Sequence, residues 1–383
     1  MNESYWLAFS RKCRWMMQAI MAPEFVLAFA TGQRVEAKRS VQAFKDLGYP
    51  KWTIRHAFYA NMGGFVLQPR DSTPFPINSK QLQYLIQKGY TDFPTLTKKE
   101  IWDKSKADGF AKLLACFQTA WFVIQVIGRA IQHLPVTTLE LTTLSFVVCT
   151  LSMYYQWANK PLDVESPTII DIDKSTAEIL IEAGSRASEP YSWTPLDFID
   201  NQSPSWLTEV QPHLRFRRGP HQRPLPRFTN DRFPVIGAGF DAIVLFSITM
   251  VYGALHFVGW NFSFPSHLEQ ILWRASCITI VATTLIFLVC ETYQDGHRLG
   301  RWEEWYAKIL QRKQHKSGRV NTAEKIRRQA VFIPMWEVIL MTPMTIIYTL
   351  ARSYIVLEVF VSLRSLPSGA FDSVNWSNFV PHV

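Results

Sequence analysis

Long apolar stretches, each interrupted by charged or amide side chains, set the pattern of this chain. Five approach spanning length: Phe110–Ile131, Leu139–Ala158, Ile236–Trp260, Ile271–Thr292 and Phe332–Ala351, with Arg352–Leu363 continuing the last. About twenty apolar residues in a helix rising 1.5 Å per residue cross a bilayer, so the pattern predicts membrane helices. Hydrocarbon is a costly place for a polar group, which makes each interruption a candidate for function. In Phe110–Ile131 and just beyond it, Gln118, Gln125, Arg129 and Gln132 fall within a stripe about 60° wide at 100° per residue. Facing lipid, that stripe would be expensive. The expectation is that it turns inward, lining a polar cavity or pairing with neighbouring helices.

The rest of the chain reads differently. Trp15–Ala30 is short for a span and is broken by Pro23 and Glu24, which favours an amphipathic or re-entrant helix. Residues 31–109 carry turn signals at Gly32, Gly48–Tyr49–Pro50 and Gly63–Gly64. They also predict a helix over Ser79–Lys88 after the tetrapeptide FPIN, and a second one capped by Thr97 that continues through Ile101 and Trp102. The connections alternate between short (Gln132–Thr138, Asn261–Gln270) and long. The long loop Tyr293–Val331 holds ten Lys or Arg against four acids, and Lys160–Val235 contains RFRRGPHQRPLPR. Basic loops favour the cytosol, so the short loops should face away from it. The resulting division is an interfacial region 1–109, a hairpin 110–158, a cytosolic loop 159–235, a second hairpin 236–292, a basic loop 293–331 and a C-terminal helix and tail 332–383. The fold class expected is all-α, a polytopic bundle of about five to seven membrane helices.

Composition agrees. The chain is 48% hydrophobic, 14% aromatic and 19% charged, a mixture that suits a membrane part with sizeable loops. The net charge of +9 sits largely in those loops and the N-terminal third, so it reads as topology and not as nucleic-acid binding. Cys13, Cys116, Cys149, Cys277 and Cys290 show neither metal nor disulfide spacing, and no cleavable signal peptide is expected.

Polar residues converge at the short-loop ends. Arg129, Gln132 and His133 close the first span and Glu140 opens the second. His256, Trp260 and Asn261 close the third, and Glu269, Trp273 and Arg274 open the fourth. Arg129–Glu140 and Glu269–Arg274 read equally well as interfacial ion pairs. Asp241, Tyr252 and His256 share one face of the third span, and Glu337, Met341, Met344, Tyr348 and Arg352 share one of the fifth. Asp241 also reads as an interfacial cap. A carboxyl in apolar surroundings can stay protonated and act as a general acid. Trp121, Trp260 and Trp273 are belt or packing residues on one reading and a π-lined wall for a carbocation on the other. There is no phosphate loop, HExxH, GxSxG or aspartate-rich diphosphate motif. NFS at Asn261 and NWS at Asn375 match the N-glycosylation pattern.

Several blocks resemble a family of fungal multi-spanning membrane proteins, most without an assigned function: MAPEFVLAFATGQ (21–33), HAFYANMGGFVLQP (56–69), FPINSKQLQYLIQKG (75–89), the segment 102–141, KPLDV (160–164), HFVGWNFSFPSHLEQILWR (256–274) and 351–383. The chain is also similar in size and character to the membrane-bound terpene cyclases of ascochlorin- and ascofuranone-type meroterpenoid pathways, which close a ring on an epoxidised farnesyl chain carried by an aromatic head. That resemblance implies a metal-independent isomerase in the endoplasmic reticulum membrane, with its long basic loops cytosolic. It implies no cofactor, a hydrophobic prenylated substrate, membrane lipid as surroundings and no nucleic-acid partner; no oligomeric state follows. On this reading Glu140, Glu337 or Asp241 supplies the proton, and Arg129, His256 or Tyr252 orients the epoxide or takes the final proton. Gln118, Trp121, Gln125, Trp260, Asn261, Glu269, Trp273, Arg274 and Tyr348 line the pocket. The competing expectation is a transporter or lipid-handling protein whose polar stripe lines a path. A membrane scaffold with partner-binding basic loops is a third.

Overall fold

A computed structural model describes residues 5–103, 106–161, 164, 166–188, 191, 193–199, 236, 239–298 and 335–376. Residues 200–235 of the first long loop and 299–334, most of the second, fall outside these, as do Ser377 of the NWS site and the side chain of Glu337. The described chain is mostly helical, with one small sheet, and divides into two compact units. One is formed by residues 29–111 and 156–236; the other holds 4–28, 112–155 and 237–383. Segments that the sequence division kept apart, before the first hairpin and after it, thus belong to one unit.

That first unit is built from α2 beyond Ala28 (α2 is Pro23–Asp46, following α1 at Tyr5–Met21), α3 (Ile54–Asn61), α4 (Ser79–Gln87), α5 (Lys98–Asp103) and α8 (Thr176–Ala183). They surround a three-stranded sheet of order β2-β1-β3. Strand β1 (Phe65–Gln68) pairs antiparallel with β2 (Phe75–Ile77) and parallel with β3 (Thr168–Asp171), in register Phe65↔Ile77 and Phe65↔Thr168. Strands of three or four residues leave no alternation long enough to read, so the sheet had no sequence signature. Helix α4 begins where FPIN predicts: the Asn78 side chain accepts from the amides of Lys80 and Gln81 (3.0 Å each), and Gln81 Oε1 accepts from the Asn78 amide (2.9 Å). Thr97 and Glu100 cap α5 in the same reciprocal way. The core is aromatic: Phe44 stacks on Trp52 with centroids 4.1 Å apart, and Trp52 Nε1 donates to Ser40 Oγ. Each such buried ring contributes about 1.5–3 kcal/mol through lost water contact.

The second unit contains α1, the start of α2, α6 (Lys106–Ile131) from Lys112 onward, α7 (Thr138–Gln156), α9 (Phe240–Leu255) with a 3₁₀ turn His256–Asn261, α10 (His267–Arg298) and α11 (Met335–Val361). Four stretches are long and apolar enough to cross a membrane: Lys112–Ile131, Phe240–Asn261, His267–Cys290 and Ile339–Ser365. The last confirms that the apolar pattern past Arg352 extends one helix. Helix α7, the expected second span, has 19 residues but is not among the four; Glu140, its many Ser and Thr residues and Gln156 dilute it. Helix α10 packs lengthwise against α11 and α9 around Leu141, Trp273, Cys277, Ile280, Ile355 and Val359. Gly253 permits the α9–α10 approach, since a Cβ there would lie 3.0 Å from Val281 Cγ2. Outward, the helices present Phe117, Ile243, Val289 and Leu350. Their hydroxyls turn back on the helix itself, as Thr119, Ser247, Thr279 and Thr345 donate to the carbonyl four residues earlier.

Candidate functional site

Helix α9 offers Tyr252 and His256 one turn apart, and α11 offers Tyr348 and Arg352 at the same spacing. Tyr252 and Arg352 each lie about halfway along their apolar stretches. Glu24 from the first turn of α2 and Ser145, Phe146 and Cys149 from α7 complete the cluster. Arg352, 0% exposed, stacks its guanidinium over Phe146 (4.8 Å) and Tyr252 (5.3 Å). Its Nη1 donates to His256 Nε2 at 3.2 Å. The other ring nitrogen, Nδ1, donates to the Tyr252 carbonyl at 3.0 Å. An arginine cannot accept and a carbonyl cannot donate, so these partners fix His256 as the neutral Nδ1–H tautomer with its Nε2 lone pair inward. Ser145 Oγ stands 3.3 Å from the same Nε2 while donating to the Thr142 carbonyl. Tyr348 donates its hydroxyl proton to Glu24 Oε1. Burial pushes the Glu24 carboxyl above the usual carboxylate range, with the Tyr348 bond and the Arg352 charge pulling back.

Much of this cluster is unsatisfied. Arg352 Nε and Nη2, Tyr252 Oη, Glu24 Oε2 and Trp273 Nε1 are buried without a hydrogen-bond partner among the described residues. An unmade buried bond costs about 1–3 kcal/mol, more when the group is charged. Five such atoms in one neighbourhood are therefore an expense that packing alone does not explain, and they are a marker for a ligand site. Chemically the cluster offers a carboxyl able to hold a proton, a neutral imidazole whose Nε2 lone pair accepts from Arg352, and a fixed cation with two donors unpartnered among the described residues.

Of the residues singled out from sequence, Tyr252, His256, Tyr348 and Trp273 come together here; Trp273 lies 6.3 Å from the His256 ring. Others go elsewhere. Gln118, Trp121 and Gln125 are exposed on α6, so the stripe does not turn inward as a whole. Trp121 instead lies against Trp376, the ring centroids 5.3 Å apart and the planes tilted by 31°. Arg129 is buried but structural: it donates to the carbonyls of Asp372 (2.7 Å), Pro135 (2.8 Å), Ala370 (3.0 Å) and Gly369 (3.4 Å), and pairs with Glu140 at 3.3 Å. Glu140 Oε2 also accepts from the Thr137 amide in a capping box at the start of α7, so both its oxygens are engaged, in the cap and in the pair, away from the cluster. Glu269 does the same with Ser266 for α10 and pairs with Arg364, not Arg274. Arg274 donates to Trp260 O and Asn261 Oδ1 and covers the Trp260 ring, which ties these three into the turn before α10. Asp241 sits in the first turn of α9, fifteen residues or about 22 Å along the axis from His256. Glu337 lies in the first turn of α11, its side chain outside the described residues.

Sequence reading gave no site role to Glu24, Ser145, Phe146 or Arg352. The signal for Arg352 was present in its one-turn spacing from Tyr348, parallel to Tyr252–His256. Glu24 was visible as a lone carboxylate in an apolar run, read only as an interruption.

The geometry thus defines a mostly helical protein with four helices fit to cross a membrane and a polar cluster among them. The chain belongs to the family described as "Family of unknown function (DUF8562)", which matches residues 8–189 and 241–383. No curated protein and no solved structure matches it.

Proposed function

We propose that this is an integral-membrane enzyme that protonates an oxygen on an apolar substrate, and specifically a membrane-bound terpene cyclase acting on an epoxidised prenyl chain. What carries the reading is the meeting of Glu24, Tyr252, His256, Tyr348 and Arg352 in one buried cluster among helices that present apolar side chains outward. A proton on Glu24 Oε2, the oxygen without a partner, opens the epoxide by general-acid catalysis. The alkene closes on the resulting cation, and the proton lost at termination returns to the Glu24 carboxylate that the first step left. One proton enters and one leaves, so the product is an isomer of the substrate. Residence in the endoplasmic reticulum, with the basic loops cytosolic, is part of the same proposal.

The test supplies a farnesyl-arene epoxide to microsomes carrying the full chain and follows conversion to a product of equal mass and different retention. Glu24→Gln should slow it about 10²–10⁴-fold, the usual contribution of a positioned acid. An unchanged substrate with folded protein, or a Glu24→Gln variant as active as the parent, removes the reading. One observation favours a second reading, a carrier of lipid acids: the unpaired donors of Arg352 can bind without any chemistry. Ligand retention without turnover would select it.

A further inference from the structure

Arg352 presents a single cation, sealed from solvent and short of partners. Its Nη1 is committed to His256 and its ring-facing sides to Phe146 and Tyr252. What is left is the Nε–H and Nη2–H edge, the two parallel donors of the side-on guanidinium fork, and both are buried without a hydrogen-bond partner among the described residues. Such a fork matches the two oxygens of a planar acid. His256 is neutral by its hydrogen bonds and so adds no charge of its own. Glu24 is a carboxyl whose charge bears on Arg352, but the two form no ion pair among the described residues and the bonded oxygen of Glu24 is taken by Tyr348. A buried cation without a counter-ion is strongly unfavourable.

We propose that the Nε/Nη2 fork of Arg352 receives the carboxylate of a long-chain apolar acid, whose hydrocarbon part lies among the helices. One cation calls for one negative charge, so a carboxylate balances it and a phosphate monoester brings a second charge with nothing to meet it. Tyr252 Oη, over whose ring the guanidinium lies, is a further donor within the cluster. The inference deepens the cyclase reading, on which the substrate's prenyl chain carries an acid group. A carboxylate on Arg352 also removes the electrostatic objection to forming a carbocation beside a fixed positive charge.

The experiment uses the full chain purified in a non-ionic detergent at about pH 8, where a carboxylic acid is ionised. Radiolabelled palmitate is measured by equilibrium binding against hexadecanol, methyl palmitate and hexadecyl phosphate. Palmitate should bind at least about tenfold more tightly than each of the other three, because only it satisfies the fork with a single charge. Arg352→Lys, which keeps the charge but loses the fork, should weaken palmitate at least about tenfold and leave hexadecanol unchanged. Equal binding of acid and alcohol, tighter binding of the phosphate, or full palmitate affinity in Arg352→Lys would each overturn the proposal. Should that variant not fold, the ligand series on the parent chain decides alone. Palmitate binding without any epoxide turnover refutes the cyclase and leaves this inference standing; turnover of an epoxide bearing no acid does the reverse.

Discussion

Arg129→Ala separates a structural arginine from a catalytic one. In the structure Arg129 is 8% exposed and donates to four carbonyls, three of them in the C-terminal segment at Gly369, Ala370 and Asp372. A hydrogen bond from a charged donor contributes about 1.5–3 kcal/mol, but four bonds to one group do not sum. Removing one partner of a buried, hydrogen-bonded ion pair costs about 3–5 kcal/mol. Glu140 is a quarter exposed and can be hydrated when left alone, which points to the lower end. A loss of about 3 kcal/mol corresponds to a roughly hundredfold rise in the open population of the segment that Arg129 holds. Hydrogen exchange reads this directly, because the amides of Ala370, Asp372 and Asn375 are bonded within that segment or to Gln132. They should exchange about a hundredfold faster in Arg129→Ala, while amides of α9 at Tyr252 and Gly253 keep their protection. Wild-type exchange at all three sites, combined with loss of function, would mean that Arg129 serves chemistry and that its carbonyl contacts are incidental.

Two further outcomes follow from local geometry in the other unit. In Gly64→Ala the new Cβ would stand 2.4 Å from the buried Tyr59 ring, which is itself tied to Ser166 O and Thr168. The ring must move, and overpacking of this kind costs about 1–3 kcal/mol, read as faster exchange of the β1 amides with the α9 amides unaffected. Asp71 accepts from the amides of Thr176 and Ala177 at the first turn of α8; burial would push its carboxyl up, but these bonds outweigh it and hold it below the usual range. A depressed carboxylate stabilises above its unfolded pKa and loses that contribution as the pH falls through the folded one. Protection of α8 should therefore drop below about pH 4 in the parent. In Asp71→Ala it should start lower at neutral pH by less than about 1 kcal/mol, since Asp71 is exposed, and should not respond further to acid.

The apolar periods made the helices legible: α6, α9, α10 and α11 lie within a few residues of where the hydropathy places them. The caps at Asn78 and Thr97 were legible for the same local reason. The sheet was not, because β1 pairs in parallel with a strand about a hundred residues away and neither is long enough to alternate. The site was half legible. Tyr252, His256 and Tyr348 were found by facing, whereas Glu140 and Glu269 were taken for chemistry although each stands three residues after a Thr or Ser. That spacing is the capping box, a local use of a carboxylate that needs no pocket. A polar side chain within the first helical turn has the backbone as its nearest unpaired partner, while one at mid-length has only other side chains. Depth along the helix separates Tyr252, Tyr348 and Arg352 from the capping Glu140 and Glu269; Glu24, in the first turn of α2, and His256, at the end of α9, are exceptions that bond side chains of neighbouring helices.

The charges of Glu24 and Arg352 couple the two halves of the cluster. With Glu24 protonated, Arg352 lacks a counter-ion; with Glu24 ionised, its carboxylate is the nearest candidate for one. An anion arriving on Arg352 therefore cancels the charge that pulls the Glu24 carboxyl down and leaves burial, which pushes it up, in command. Reciprocity then requires that whatever strengthens the hold of Glu24 on its proton also strengthens the hold of Arg352 on the anion. On the proposed reading, the general acid is in this way armed by the binding of its own substrate. Tyr348, hydrogen-bonded to Glu24, and Arg352 stand one turn apart on the same helix, so the charge of Arg352 and the Tyr348 bond act on the same carboxyl.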